Sequence, residues 1–361
     1  MSSSFKSIER AALLRQRFEI AGGQVVETPM LQPAGTLLDL YGEDIRARAY
    51  VTSDALRGEQ MLRPDFTVPV VQQHMAGGAE PARYTYAGEV FRRQEHDPDR
   101  ANEYVQVGYE VFDRADAAEA DAEVFALFQL QLRGLPLRAA TGDIGILMAA
   151  VDGLSTTDMR KSALRRHIWR PRRFRALLDR FAGRVEMPES RKALLAGEVD
   201  TSAPAIGKRR IAEVEARIAA LKADAEAAPI ADNELNALET LMAVRETLPF
   251  ALEQMRDIAV DLPSILPALD RLQARVAALR ARGIDVDSLD FEASYGRTSM
   301  EYYDGFVFGF YAERRPDLPP VATGGRYDAL TRQLGQGGEI PAVGGVIRPD
   351  LILTLEAEEN A

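Results

Sequence analysis

The sequence predicts an α+β fold with a strand-rich core in two parts and a helical insertion between them. Residues 83–112 contain two stretches rich in β-branched and aromatic residues, separated by a polar loop with a proline, as in a hairpin. From residue 185 the composition shifts to alanine, glutamate, leucine and arginine in blocks of helix length, and strand-like segments return later. We therefore expect core segments at residues 1–184 and 286–361, and a helical insertion at residues 185–285.

The composition is that of an ordinary soluble globular protein. The length of 361 residues suggests about two domains. Hydrophobic residues make up 46% and charged residues 27% of the chain, which is typical of such proteins. No apolar run approaches the roughly 20 residues that span a bilayer, and the first residues lack the apolar core of a signal peptide. We expect a cytoplasmic protein that does not contact a membrane.

Metal and nucleic-acid functions are disfavoured. The sequence has no cysteine, which excludes disulfides and thiolate metal sites, and its histidines, at 74, 96 and 167, are scattered. We expect no metal site. The formal charge of −11 opposes binding to a polyanion over a broad surface, because such binding depends on neutralising phosphates with lysine and arginine.

The N-terminal region contains one clear helix and several short strands. Apolar residues recur at helical spacing over residues 7–21, and a pair of glycines ends that helix. Residues 24–30 and 47–52 are predicted strands, and residues 68–75 are a predicted helix.

The second arm of the hairpin presents two chemically different faces. Gln106, Gly108 and Glu110 alternate with a run of valines and a tyrosine, so they share one face. Strand geometry separates Gln106 from Glu110 by about 13 Å, with no side chain at Gly108 between them, which leaves room for a small zwitterion. The alternative is a solvent-exposed face, as in most antiparallel sheets.

At this point the sequence resembles a known family. Phe91-Arg92, a polar loop and then the residues from Tyr104 to Glu110 resemble the second signature motif of class II aminoacyl-tRNA synthetases, in the version of histidyl-tRNA synthetase. The resemblance implies an antiparallel class II sheet flanked by helices. It also implies that Arg92 holds the α-phosphate of ATP and the substrate carboxylate, and that Gln106 and Glu110 bind histidine.

A second motif lies before the hairpin. Leu62-Arg-Pro-Asp65-Phe-Thr67 resembles the family's Leu-Arg-Pro-Glu-x-Thr, in which the acid and the threonine meet the substrate's α-amino group. The acid is chemically sensible there, because a buried ammonium needs a carboxylate partner. The alternative is an ordinary loop that leads into the next helix.

Two more motifs follow the helical insertion. Residues 299–308 resemble a family segment whose tyrosine pair shapes the imidazole pocket, and residues 323–328 resemble its Gly-Gly-Arg-Tyr-Asp, with Asp328 placed to start a helix over residues 329–334. Each motif alone fits core strand and turn, but four in the family's order make coincidence improbable. The implied histidine site consists of Asp65, Thr67, Arg92, Gln106, Glu110, Tyr302, Tyr303 and Tyr327.

The departures from the family concern ATP. Thr298 stands where the synthetases have an activating arginine, and the adjacent Arg297 faces the other way if that segment is a strand. Leu351 stands where the third class II motif has the arginine that stacks on ATP, and the hairpin loop has Gln94 and Asn102 at an acidic and a basic position of the family. Each lost cation costs several kcal/mol of transition-state stabilisation.

A chain that keeps the amino-acid pocket but lacks the residues for ATP chemistry resembles the regulatory subunits of ATP phosphoribosyltransferase, the first enzyme of histidine biosynthesis. The resemblance implies a chain with no catalytic residues and no cofactor, which joins a short catalytic subunit in a hetero-oligomer, expected to be a hetero-octamer. It also implies histidine as a ligand and a self-dimer through residues 24–30. We expect no tRNA partner, since about ten residues after the third motif leave no room for an anticodon-binding domain.

The enzyme alternative is a divergent or truncated histidyl-tRNA synthetase, or another amino-acid-activating enzyme, and the retained Arg92 favours it.

Residues 160–180 are a strongly basic segment interrupted by Pro171. The favoured interpretation is a solvated helical face over Trp169 and Phe174. The alternative is docking of a phosphate-bearing partner or an acidic protein surface.

Overall fold

The computed structural model describes residues 5–41, 45–94, 100–197, 206–207, 210–297 and 302–359. Within them lie two sheets and fifteen α-helices. The strands are β1 Gln24–Val25, β2 Leu31–Pro33, β3 Val51–Asp54, β4 Gly58–Leu62, β5 Ala82–Phe91, β6 Glu103–Phe112, β7 Leu137–Asp143, β8 Arg245–Thr247, β9 Asp290–Glu292, β10 Phe306–Ala312, β11 Ala322–Arg326 and β12 Ala342–Ile347.

The helices fall into an N-terminal group, a long central group and two C-terminal helices. They are α1 Phe5–Ile20, α2 Ala34–Tyr41, α3 Ile45–Arg48, α4 Thr67–Met75, α5 Ala117–Gln131, α6 Ile144–Gly153, α7 Asp158–Arg166, α8 Pro171–Phe181, α9 Glu189–Ala196, α10 Ile211–Glu226, α11 Asp232–Ala243, α12 Leu248–Ile258, α13 Leu266–Ala281, α14 Asp328–Leu334 and α15 Pro349–Glu359, with a short 3-10 helix Pro263–Ile265 before α13.

The main sheet has nine described strands in the order β1-β5-β6-β12-β11-β10-β7-β9-β8. All neighbouring pairs are antiparallel except β1 with β5 and β7 with β9. A separate three-stranded sheet has the order β2-β4-β3. The predicted α+β fold, with an antiparallel sheet flanked by helices, is confirmed.

The hairpin of β5 and β6 lies inside the sheet, and both faces of β6 are buried. On one face Tyr109 stacks on Phe18 of α1, with ring centroids 5.2 Å apart, and Phe18 packs against Phe128 of α5. On the other face Gln106 and Glu110 are fully buried. The solvent-exposed alternative for this face is therefore wrong, because the start of α4 and the side chains of Tyr302 and Tyr327 pack over it.

The helix α5 covers the other side of the C-terminal strands. Its first turn is capped by Asp116, whose side chain accepts hydrogen bonds from the amides of Ala118 and Glu119. Its apolar face packs against β10. The ring centroid of Phe125 lies 5.5 Å from that of Phe308 and 5.4 Å from that of Phe310. The alternate residues of β10 therefore face the side of the sheet that carries Glu110.

The central helices are joined to the core by a strand and by buried ion pairs. The strand β8 pairs with β9 at the end of the main sheet. Arg275 of α13 contacts Asp121 of α5 at 2.8 Å and Asp143 of β7 at 2.9 Å, and Arg326 of β11 contacts the same Asp121 at 2.7 Å. The division of the chain at residues 185 and 285 stays a prediction.

Some predicted elements have different bounds. Residues 47–52 were expected to be a strand, but α3 ends within that range at Arg48 and β3 begins at Val51. The predicted strand over residues 24–30 is limited to β1, and the chain turns before β2. In the basic segment, Phe174 is buried while Arg172 and Arg173 are exposed, as a solvated helical face requires.

Two further expectations concern absences. In the described part of the chain, no helix is both long and apolar enough to cross a bilayer. Nor do the described residues contain a group of three or more side chains that could hold a metal ion. His96 lies outside the described residues.

Candidate functional site

The eight residues predicted for a histidine site come together on the inner face of β6. Two belong to β6 itself, Asp65 and Thr67 lie at the start of α4, Arg92 follows β5, and the three tyrosines come from the segments around β10 and β11. Seven of the eight are buried, and Arg92 is half-buried. A role in binding histidine stays a prediction.

The carboxylate of Glu110 has three hydroxyl partners. Thr67 Oγ1 donates to Glu110 Oε1 at 3.0 Å, Tyr86 OH donates to the same oxygen at 2.8 Å, and Tyr327 OH donates to Oε2 at 2.6 Å. Burial raises the pKa of Glu110 to about 7, and the three hydroxyl groups limit the rise. Near neutral pH this carboxyl is therefore poised between its protonated and ionised forms.

Tyr86 is a site residue that the sequence analysis missed. In the hairpin register it lies opposite Gly108, and a Cβ at Gly108 would lie 2.1 Å from the Tyr86 Cζ atom. The expectation of open space above Gly108 is therefore wrong, because the tyrosine ring occupies it. Tyr86 also stacks on Phe66, with centroids 4.3 Å apart. The available signal was the pairing of the two arms, which places a large residue opposite the glycine.

A second glycine makes room for the acid. A Cβ at Gly344 of β12 would lie 1.5 Å from Glu110 Oε2, so this position tolerates no side chain while Glu110 keeps its place. Gly344 pairs directly with Glu110 across the two strands. The bare backbone of β12 thus forms one wall of the site.

Gln106 differs sharply from Glu110. Its side chain is fully buried, yet neither Oε1 nor Nε2 has a hydrogen-bond partner among the described residues. A buried polar group without a partner costs about 1–3 kcal/mol. The Gln106 amide therefore offers one donor group and one acceptor to a bound molecule.

The predicted partners for an ammonium and a carboxylate are held by the same segment. Asp65 accepts a hydrogen bond from the backbone amide of Val68 at 3.4 Å, in the first turn of α4. Arg92 Nε donates to the carbonyl of Pro64 at 2.7 Å. An acid and a guanidinium are thereby fixed near each other, as an amino acid's two charges require.

The tyrosines form one aromatic cluster. The ring centroid of Tyr302 lies 4.9 Å from that of Tyr303 and 6.1 Å from that of Tyr327, and Tyr302 OH donates to Thr67 Oγ1 at 3.5 Å. The backbone carbonyl of Tyr303 accepts a hydrogen bond from Trp169 Nε1 at 3.3 Å. The cluster therefore connects the site to the basic segment.

The expectation that Asp328 caps the following helix is wrong, because Asp304, next to this cluster, caps it instead. Asp328 is the first residue of α14, but the carboxylate that caps the helix belongs to Asp304, which accepts from the amides of Asp328 at 3.0 Å and Ala329 at 2.6 Å. Burial, followed by the charge of Asp328, raises the pKa of Asp304 to about 7. Asp328 instead accepts from the amide of Ala342 at 2.8 Å.

Three positions bear on the expectation that the cations of ATP chemistry are missing. Thr298 lies outside the described residues, and Arg297 is turned away from the site, since its Nε donates to the carbonyl of Ile168 at 2.7 Å. Leu351 is buried in α15. Arg348 is a cation that the sequence analysis left out: its guanidinium lies 5.5 Å from the ring centroid of Tyr104.

Arg348 lies in a basic environment. Burial lowers the pKa of Arg348, Tyr104 and Asp350 raise it, and the charges of Arg92 and Arg100 lower it further. The charges of Arg92, Arg100 and Arg348 thus interact, although Leu351 stands at the position of the third motif's arginine. The third motif contains Arg348 itself, so its presence was visible in the sequence.

Comparisons with known proteins identify the family of this chain. The family model of histidyl-tRNA synthetase matches residues 4–210 and 208–352. Relatives from Brucella ovis and Brucella abortus, named ATP phosphoribosyltransferase regulatory subunit, are 31% identical over 96% of this chain and cover 97% and 96% of their own lengths.

Solved structures show the same fold. A Bacillus halodurans protein described as an ATP phosphoribosyltransferase regulatory subunit/histidyl-tRNA synthetase matches with a TM-score of 0.68 and 20% identity, over 97% of this chain and 79% of its own. A histidine–tRNA ligase subunit from Alicyclobacillus acidocaldarius matches with a TM-score of 0.59 and 22% identity, over 98% and 94%.

The nine-stranded sheet and the buried polar site on β6 define a class II aminoacyl-tRNA synthetase-like protein of the histidyl-tRNA synthetase type. Within that class, the full-length relatives carry a narrower name. The chain belongs to the family of ATP phosphoribosyltransferase regulatory subunits. That name is compatible with a non-catalytic role.

Proposed function

We propose that this chain is a cytoplasmic, non-catalytic regulatory subunit that a short ATP phosphoribosyltransferase catalytic subunit needs for activity, and that it binds histidine. The observation that carries the proposal is the fully buried Gln106 amide, which has no partner among the described residues and lies on the strand face of Glu110. A scaffold with a vestigial pocket has no reason to keep this energetic cost.

The proposed pose follows charge and reach. The ammonium of histidine meets Asp65, Thr67 and Gln106, because an ammonium needs a carboxylate partner and polar acceptor oxygens. The carboxylate meets Arg92, a half-buried guanidinium held by the carbonyl of Pro64. The imidazole points to the cluster of hydroxyl groups and rings formed by Glu110, Tyr303 and Tyr327.

Isothermal titration calorimetry of the isolated chain with histidine tests this pose. We expect saturable binding, and the same titration with histidinol, which lacks the carboxylate, isolates the contribution of Arg92. No heat from the isolated chain, together with histidine inhibition of the assembled complex, would place the feedback site on the catalytic partner and contradict the pose.

The chain alone is expected to form no histidyl-adenylate. Leu351 supplies no charge, and Arg297 is engaged by the Ile168 carbonyl, so two cations of the synthetase reaction are lost. Arg92 and Arg348 favour the alternative of a divergent amino-acid-activating enzyme. Histidine-dependent exchange of pyrophosphate into ATP decides between them, and exchange at a rate typical of synthetases would refute the non-catalytic proposal.

The proposed assembly is a hetero-oligomer, with hetero-octamer as the expected size, in which the regulatory chains pair through the region of β1. Exposed apolar side chains support such pairing: Val25, Met30 and Leu31 are 40%, 48% and 48% exposed. Two-fold pairing gives even copy numbers. Light scattering of the mixed subunits and an assay of phosphoribosyl-ATP formation test this, and two subunits that elute separately with unchanged activity would contradict it.

A further inference from the structure

A cavity of about 610 Å³ lies on the same face of the main sheet as Glu110, but beyond β10, toward β9. Its lining includes three arginines, two tyrosines and one carboxylate: Arg138 of β7, Arg245 of β8, Arg297, Tyr295, Tyr311 of β10 and Glu292 of β9, which pairs with Arg245. None of the eight predicted histidine-site residues lines it. The cavity is of the size that small-molecule ligands occupy, and the proposed function does not use it.

Arg297 is a buried cation of this cavity that has no counter-anion among the described residues. It is 6% exposed, its Nε donates to Ile168 and its Nη1 to the Met242 sulfur at 3.4 Å, and its guanidinium lies 4.8 Å from the ring centroid of Phe174. Its Nη2 has no partner among the described residues. None of the described carboxylates pairs with it, and burial alone lowers its pKa. A buried cation without a counter-anion is costly.

The surroundings of Arg297 favour an anion. Arg138 is paired with Asp290 and Arg245 with Glu292, but both arginines are more than 60% exposed, so these ion pairs cost little to rearrange. The hydroxyls of Tyr295 and Tyr311 are 2.8 Å apart. Because one hydroxyl proton serves that bond, the second is free to be donated to a ligand.

The N-terminus of α8 adds a positive partial charge. This helix has eleven residues, and its first residue, Pro171, lines the cavity. No side chain caps its first turn. The N-terminus of a helix attracts anions through its amide groups and its dipole.

We propose that this cavity binds the phosphate group of a small phosphorylated metabolite. The phosphate supplies the counter-anion that Arg297 lacks among the described residues, and it accepts hydrogen bonds from a tyrosine hydroxyl and from Arg138 or Arg245. A phosphate fits this donor set better than a carboxylate, because it carries more charge and an additional acceptor oxygen. The proposal is independent of the proposed function, since it involves neither histidine nor a partner subunit.

Trp169 provides the measurement. It is the one tryptophan of the sequence, it lies next to Ile168, whose carbonyl binds Arg297, and it precedes α8 by two residues. Titration of the isolated full chain with pyrophosphate and with ribose 5-phosphate, in the absence of histidine, is expected to change its fluorescence saturably, with Kd below about 1 mM. Arg297→Met is expected to weaken binding of both probes at least tenfold.

Three variants complete the experiment. Arg271→Gln removes an exposed arginine of α13 that does not line the cavity, and it is expected to leave binding unchanged. Arg348→Met removes a cation near Arg92 that does not line the cavity but acts electrostatically on Tyr311, so it is expected to weaken binding far less than Arg297→Met does. If Arg297→Met does not fold by circular dichroism, the double variant Tyr311→Phe with Arg245→Gln takes its place, and it is expected to weaken binding by at least tenfold.

Three outcomes would overturn the proposal. One is the absence of a saturable fluorescence change with either probe. Another is unchanged binding in the folded cavity variants. The third is loss of binding in Arg348→Met, which would assign the anion to the place of the family's ATP phosphates. Binding of histidine by the same protein samples, measured separately, shows whether the proposed function succeeds or fails regardless of these results.

Discussion

Glu110 and Gln106 lie on the same face of one strand, and both are fully buried. They differ in how their side chains are hydrogen-bonded. Glu110 accepts hydrogen bonds from Thr67, Tyr86 and Tyr327, whereas the Gln106 amide has no partner within the described residues. The described part of the protein therefore satisfies the Glu110 carboxyl internally and leaves the Gln106 amide unsatisfied. Glu110 should therefore matter for both stability and histidine affinity, whereas Gln106 should matter for affinity alone.

The largest effect is expected for Glu110→Ala. At pH 5, where Glu110 is protonated, the variant leaves three hydroxyls without their acceptor and opens a cavity. We expect a loss of about 3–4 kcal/mol in the free energy of unfolding. Histidine affinity should fall about ten- to a hundredfold, because an imidazole N–H loses its acceptor. Urea unfolding and calorimetry measure the two effects.

The matched control is Glu253→Ala, which removes an exposed glutamate of α12. It should change the free energy of unfolding by less than about 0.5 kcal/mol. Equal effects of the two substitutions would contradict the structural importance of the hydroxyl cluster.

The pH dependence of stability gives the next effect. The pKa of Glu110 is about 7 in the folded chain and near 4.5 when unfolded, so between these values the folded state binds more protons. Stability must therefore fall as pH rises from about 4.5 to 7, by about 3 kcal/mol from this group. Asp304, with a pKa of about 7, acts in the same direction. Glu110→Gln should remove one of the two contributions in urea unfolding from pH 4.5 to 8, and an unchanged slope would refute the assignment.

Gln106→Leu should have opposite effects on the stability of the fold and on histidine affinity. Replacing an unpaired buried amide by an apolar side chain of similar size is expected to leave the free energy of unfolding unchanged or raise it by about 1 kcal/mol. Histidine affinity should fall about tenfold, because the ammonium loses an acceptor. A Gln106→Leu variant that is less stable and binds histidine normally would contradict the proposed difference between Gln106 and Glu110.

The smallest effect is expected for Tyr303→Phe. The ring stays in the cluster with Tyr302, and the backbone carbonyl still accepts from Trp169. We expect a change in histidine affinity of less than about threefold, or under 1 kcal/mol. Calorimetry measures it, and a loss as large as that of Glu110→Ala would mean that the tyrosine hydroxyl contacts the imidazole directly.

Local patterns predicted the residues that lie on one strand or in one turn. Alternation along β6 grouped Gln106 with Glu110, and the spacing in the loop before α4 grouped Asp65 with Thr67. Contacts that depend on strand pairing were beyond such patterns. Tyr86 reaches Glu110 because of the register of β5 against β6, and that register depends on how the long loop between them closes.

Long-range packing explains the other differences. Asp304 caps α14 from a position 24 residues earlier in the chain, so no local signature distinguished it from Asp328. Arg297 was expected to face away from the site. The carbonyl of Ile168 and the ring of Phe174 that receive it come from the basic segment, more than 100 residues away. Short predicted strands such as residues 47–52 failed because a few β-branched residues do not outweigh a neighbouring helical turn.

The ion pairs of Arg275 limit how this architecture can be shortened. Deleting the central helices would remove the cation that faces Asp121 and Asp143, and Asp143 would be left with its acid buried in the remaining core. The strand β9 would also lose β8 from its outer edge, which would expose backbone groups to intermolecular pairing. A minimal version of the protein would therefore need Asp143→Asn and a protected edge before it could be expected to remain monodisperse.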